Sequence, residues 1–87
     1  MSPNQLMVER AKEIIMRDCI DIICIPPSRI YRYLRSKKRK LESDYIYSVK
    51  GSSLNINTAV KMALNELAEQ GEITRVGSMF RKNSQNQ

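Results

Sequence analysis

The stretch "NINTAVKMALNELAEQG", Asn55 to Gly71, constrains the fold more than any other part of the chain. Ile56, Val60, Ala63, Leu64 and Leu67 gather within about 100 degrees on a helical wheel, while Thr58, Lys61, Met62, Asn65 and Glu69 take the opposite side. Asn55 or Asn57 suits the N-cap, and Gly71 suits the left-handed residue that stops a helix. A helix over about 55–70 is therefore expected, with an apolar side that must be buried and a polar, acid-poor side left over.

Only 87 residues are available to bury it. That length suits one domain, read here as residues 1–82, with the polar end 83–87 expected to fray. Two amphipathic partners are legible. In the first, Ser2, Pro3 and Gln5 form a capping box, and Met7, Val8, Ala11, Ile14, Ile15 and Cys19 recur at helical spacing over 3–19. Glu9, Lys12, Glu13 and Arg17 are assigned to its solvent side. The second opens at Pro27, where a missing N–H costs nothing, and turns Ile30, Tyr33, Leu34 and Leu41 to one face. Arg32, Arg35 and Arg39 stand opposite, so the run "RSKKRK" is the end of a basic stripe.

Between these helices Ile22 to Ile25 reads as one short strand, stopped by two prolines. Residues 42–54 read as connection, with Tyr45, Tyr47 and Val49 alternating before a turn at Gly51. After Gly71, Ile73–Val76 and Met79–Lys82 are strand-like across Gly77-Ser78. The inward-facing residues depend on whether that loop has two residues or three.

Several function classes fall away on composition. The chain has no histidine, so neither a Ser-His nor a Cys-His pair is available. Its three glycines stand apart at 51, 71 and 77 and make no phosphate loop. The pairs Glu9/Glu13 and Glu66/Glu69 read as solvated helix surface, not as acid–base dyads. Cys19 and Cys24 read as small buried hydrophobes, since a zinc site without histidine would need both thiolates and two carboxylates. No enzyme, metal or cofactor is expected. No run of about 18 apolar residues occurs, and "MSPNQLMVER" carries no secretory core, so a soluble intracellular protein without membrane contact is expected.

Charge points to a partner. The formal net charge is +6, and its distribution is uneven. Residues 29–50 hold eight basic and two acidic groups, against three and four in 1–28 and four and three in 51–87. A concentration of this kind suits a polyanion.

The motifs resemble a known family. "SRIYRYLRS", Ser28 to Ser36, is similar to the second helix of linker-histone globular domains, with the pattern S-x-I-x-x-Y-[IL]-x-S. "NTAVKMALNELAEQGEITRVGS", Asn57 to Ser78, resembles their third helix and its exit through G-x-[IL] into a hairpin, and Phe80 flanks basic residues as theirs does. About half the chain is covered. The order helix, short strand, helix, helix, hairpin is that of the wider winged helix-turn-helix superfamily. The expected fold is therefore α+β and mostly α: three helices, a small antiparallel sheet and a C-terminal wing.

The resemblance implies a duplex DNA-binding protein of chromatin or transcription-regulator type. Its third helix would enter the major groove with Asn57, Thr58, Lys61, Met62 and Asn65. Asparagine suits adenine, and methionine or a threonine methyl suits the thymine methyl. Arg29, Arg32, Arg35, Lys37, Lys38, Arg39 and Lys40 would follow the phosphate backbone, joined by Arg75, Arg81 and Lys82 on the wing. Ser52, Ser53 and Asn55, at the start of the third helix, would hold a further phosphate. Lys37–Lys40 also reads as a nuclear-import patch, placing a eukaryotic protein in the nucleus and any other on DNA in the cytoplasm. Two other readings compete: an RNA- or ribosome-associated winged helix, and a protein-interaction module using Met62, Met79 and the tyrosines. Oligomeric state is left open, with no spare helix to carry a dimer.

Overall fold

Ser2 starts the first helix as its spacing predicts: its side chain accepts the Gln5 N–H at 3.1 Å, and Pro3 occupies the first helical position. The structure, a computed structural model, describes residues 1–20, 23–36 and 49–83. Among these are three helices and a two-stranded antiparallel sheet, an α+β arrangement that is mostly helical. Helix α1 runs Pro3–Ile14 and continues through a π-helical turn, Ile15–Cys19. The helix thus covers the expected 3–19, but its last turn is wider than an α-turn. The Ile20 N–H donates to the Ile15 carbonyl five residues back, and both side chains are buried.

Helix α2 is Pro27–Ser36 and helix α3 is Ile56–Glu69. Asn55 caps α3 by accepting the Thr58 N–H at 2.8 Å. At the other end Gly71 has φ +79, and two bonds close the helix: Gly71 N–H to Ala68 O and Glu72 N–H to Leu67 O. This paired closure is the Schellman arrangement, which favours glycine because a Cβ is disfavoured at that φ. It turns the chain directly into strand β1, Ile73–Val76, which pairs with β2, Met79–Lys82.

The strand register settles the loop at two residues. Val76 faces Met79, Arg75 faces Phe80, Thr74 faces Arg81 and Ile73 faces Lys82. Gly77 takes φ +63 at the first loop position, where two-residue hairpins favour glycine. One face of the hairpin therefore carries Ile73, Arg75, Phe80 and Lys82, and the other Thr74, Val76, Met79 and Arg81. Ile73 and Phe80 are buried, so the first face turns inward.

Two expectations change here. The strand foreseen at 22–25 shrinks, in the described residues, to a single bridge in which Ile25 and Phe80 exchange both backbone bonds at 2.8 Å. Its neighbour Ile23 is exposed, so the β-branched run has no sheet to bury it. Ile22 lies outside the described residues. Asn83, assigned to the frayed end, is half-buried instead: its N–H donates to Glu72 O and the Thr74 hydroxyl bonds its side chain. Leu41, residues 42–48 and residues 84–87 also lie outside the described residues.

All three helices and the hairpin contribute to one core. Met7, Val8, Ala11, Ile14 and Ile15 come from the first helix, Ile30 and Leu34 from α2, and Ala59, Val60, Ala63, Leu64 and Leu67 from α3. Ile20, Ile25, Ile73 and Phe80 complete it. The inward phase read for α3 holds, with Ile56 half-buried at its edge. Truncating any of the larger buried side chains removes transfer energy and leaves a cavity, about 2–5 kcal/mol for leucine to alanine.

Lys12 is the main departure from the expected polar faces. It is not on the solvent side but 7% exposed as a residue, between Glu9 at 2.7 Å and Glu66 at 2.6 Å. It ties α1 to α3. Burial of the ammonium disfavours its charge, yet the bonds to Glu66 and Glu9 and their negative charge outweigh this and raise its pKa above 10.5. Glu9 and Glu66 are accordingly not free solvated acids.

Candidate nucleic-acid interface

The N-terminus of α3 is set by its neighbour α1. Asn4 receives the Ser53 N–H at 2.8 Å and the Ser52 hydroxyl at 2.9 Å on one oxygen, while its amide donates to the Ser53 hydroxyl at 3.2 Å. Ser52 also accepts the Leu54 N–H. Through these bonds and the cap, Ser52, Ser53 and Asn55 fix where α3 begins and how it is rotated.

That rotation leaves Asn57, Thr58, Lys61, Met62 and Asn65 exposed, with Glu69 one turn further on. Glu66 is drawn to the other side by Lys12. The middle of the exposed ridge thus carries Lys61, Met62 and Asn65 with no acid among them.

The hairpin meets this ridge through Arg75. Its guanidinium donates from Nη2 to Asn65 Oδ1 at 2.9 Å and lies 5.1 Å from the centre of the Phe80 ring. Stacking on an aromatic face and a bond to a helix hold the fork in one orientation. Between α2, α3 and the hairpin lies an open groove of about 470 Å³. Pro27 and Tyr31 line it from α2, Lys61, Leu64 and Asn65 from α3, and Arg75, Gly77, Ser78 and Phe80 from the hairpin.

The remaining cations separate. Arg29 and Arg32 are exposed on α2, three residues apart on the same side of the helix. Arg35 continues that helix, and Lys37, Lys38, Arg39 and Lys40 lie outside the described residues. Lys82 shares the inward hairpin face with Arg75, whereas Arg81 lies on the outer face beside Val76 and Met79. The three wing cations foreseen as a group therefore divide between two faces.

Near the end of α1, Arg17 grips Asp18 with two bonds of 3.1 Å, and the Tyr33 hydroxyl donates to Asp18 at 3.1 Å. Burial, then this bond and the Asp18 charge, raise the Tyr33 pKa. The Cys19 thiol is pushed up to about 12, first by burial and then by Asp18. A thiol so held is neutral near pH 7 and a poor nucleophile. Both cysteines are free and half-buried, not fully buried as their apolar surroundings suggested.

Sequence reasoning overlooked Tyr31, Ser78 and Phe80 as neighbours of the polar ridge. The available signal was the Gly77-Ser78 pair: a two-residue loop sets Arg75 opposite Phe80 and aims both at α3.

Among the described residues, no group of three or more acidic or thiol side chains could hold a metal, and no helix is long and apolar enough to cross a membrane. No protein-family model, curated protein or solved structure matches the chain.

Proposed function

We infer that this protein binds duplex DNA without catalysis, in the manner of a winged helix. In this reading α3 enters the major groove and the hairpin acts as the wing. The observation that carries it is the orientation of α3: Ala59, Val60, Ala63, Leu64 and Leu67 are buried, while Thr58, Lys61, Met62 and Asn65 are exposed beside Arg75. Asn65, whose oxygen accepts from Arg75, retains amide donors for a base edge or a phosphate. Lys61 serves a guanine edge or a phosphate.

Backbone contact falls to Arg29 and Arg32 of α2, to Arg35 and the Lys37–Lys40 run that follows, and to Arg81 and Lys82 of the hairpin. These position the protein and carry no sequence information of their own. Asn57 lies at the first turn of α3, nearest the capped end. Glu69 would repel phosphates, so the helix approaches by its N-terminal half. Chromatin or transcriptional control is the setting that suits such a module.

The test is fluorescence anisotropy with a labelled DNA duplex over a fourfold range of salt. Neutralising about six phosphates gives a log–log slope near −5, roughly a thousandfold loss of affinity. Lys61→Ala and Asn65→Ala weaken binding with little change in melting temperature. Salt-independent affinity would remove the reading, and an RNA duplex that displaces DNA at equal concentration would favour RNA as the partner.

A further inference from the structure

The groove between α2, α3 and the hairpin has the chemistry of a small-molecule site in its own right. Its volume, about 470 Å³, lies in the range of ligand pockets, roughly 300–1,000 Å³. The charged side chains that line it, Lys61 and Arg75, are both cations, and the Tyr31 and Ser78 hydroxyls can donate or accept. Lys61 brings an ammonium and Arg75 a guanidinium, and Asn65, whose oxygen accepts one bond from Arg75, adds two amide N–H donors. Among the described residues, no acidic side chain lines the groove.

Apolar surface faces these donors. Pro27 and Tyr31, both half-buried, present apolar and aromatic surface, with the buried Leu64 beneath them. Arg75 is oriented before any ligand arrives, by its bond to Asn65 and its place over Phe80. A fork held in this way loses little freedom on engaging an oxyanion.

We propose that this groove binds a small organic anion: a planar ring system bearing a carboxylate or a phosphate. The ring lies against Tyr31 and Pro27. The anionic group meets Arg75 and Lys61, and Asn65 donates to it. Carboxylate and phosphate present the same acceptor-only chemistry to these donors, so the two sources are separated by experiment. Binding does not depend on the DNA reading and is measured without DNA.

The test is a titration of the whole chain with adenosine monophosphate, 1-naphthoate and adenosine, followed by backbone amide NMR. The expected result is saturable shifts at Lys61, Asn65, Arg75, Gly77 and Ser78 with at least one of the two anions, and binding of adenosine at least about tenfold weaker than adenosine monophosphate if the phosphate arm is the right one. The tighter anion identifies the source. Arg75→Gln and Lys61→Gln, each checked for an unchanged fold by its amide spectrum, weaken that anion about fivefold or more. The proposal is overturned if neither anion shifts the groove amides at millimolar concentration. It is equally overturned if the shifts spread evenly over Arg29 and Arg32, or if both glutamine variants bind the better anion as wild type does.

Discussion

Helix α3 has cations along two of its sides, and they are held in contrasting ways. At the seam with α1, Lys12 is enclosed by Glu9 and Glu66, its side chain 9% exposed and its charge matched at 2.7 and 2.6 Å. At the groove facing the hairpin, Arg75 is oriented by neutral Asn65 and the Phe80 ring, and Lys61 stands exposed beside it. The first lysine is consumed in joining two helices. At the groove, the described contacts of Arg75 are with the neutral Asn65 amide and the Phe80 ring, not with a carboxylate. A basic residue count alone does not distinguish these cases; the partner of each cation does.

The largest effect that can sharpen this contrast belongs to neither side but to the core beneath both. Leu67→Ala should lower stability by about 2–5 kcal/mol in denaturant unfolding, because Leu67 is buried in the core. A loss within about 0.5 kcal/mol would mean that α3 is rotated differently, and the distinction between seam and groove would go with it.

Next comes the seam itself. Lys12→Met keeps the length of the stem and leaves two carboxylates without their shared cation. The Glu9 and Glu66 side chains are 37% and 38% exposed, so solvent softens the loss, which should be about 1–3 kcal/mol. Lys61→Met, made at the groove, should change stability by no more than about 0.5 kcal/mol. Equal losses at the two positions would erase the comparison.

The pH dependence separates them further. The folded-state pKa of Lys12 lies above 10.5, the ordinary lysine value. Its stabilising contribution is therefore complete below about pH 10.5 and is lost as pH rises through the folded value. The stability gap between wild type and Lys12→Met should stay constant from neutral pH to about pH 10 and close above it, followed by denaturant unfolding at successive pH values. A gap that closed already near pH 9 would show that the ammonium is not protected by its carboxylates.

Smaller still is the cap that sets the rotation of α3. Asn55→Ala removes the bond to the Thr58 N–H and should cost about 1 kcal/mol, measured by the shift in melting temperature.

Much of this architecture was legible in the sequence. The cap at Ser2, the apolar stripe from Val60 to Leu67, the stop at Gly71 and the hairpin about Gly77-Ser78 are local signals, and each acts through backbone geometry within a few residues. What was not legible depends on contacts between distant segments. Lys12 reads as a surface residue until Glu66, more than fifty positions away, is placed beside it. That the Ser52 hydroxyl and the Ser53 N–H both bond Asn4, some fifty positions earlier, was likewise not legible locally. The bond from Arg75 to Asn65 required the hairpin register, and so did the division of Arg81 from Arg75 and Lys82. The 22–25 run illustrates the reverse: β-branched residues favour a strand, yet the described part pairs only at Ile25, opposite Phe80.

The most direct test of the central claim is the salt dependence of duplex DNA binding for wild type, Lys61→Gln and Lys12→Met, measured well below each melting temperature. The account predicts a log–log slope shallower by about one for Lys61→Gln and unchanged for Lys12→Met. Identical slopes for wild type and Lys61→Gln, or an equal flattening in Lys12→Met, would contradict it.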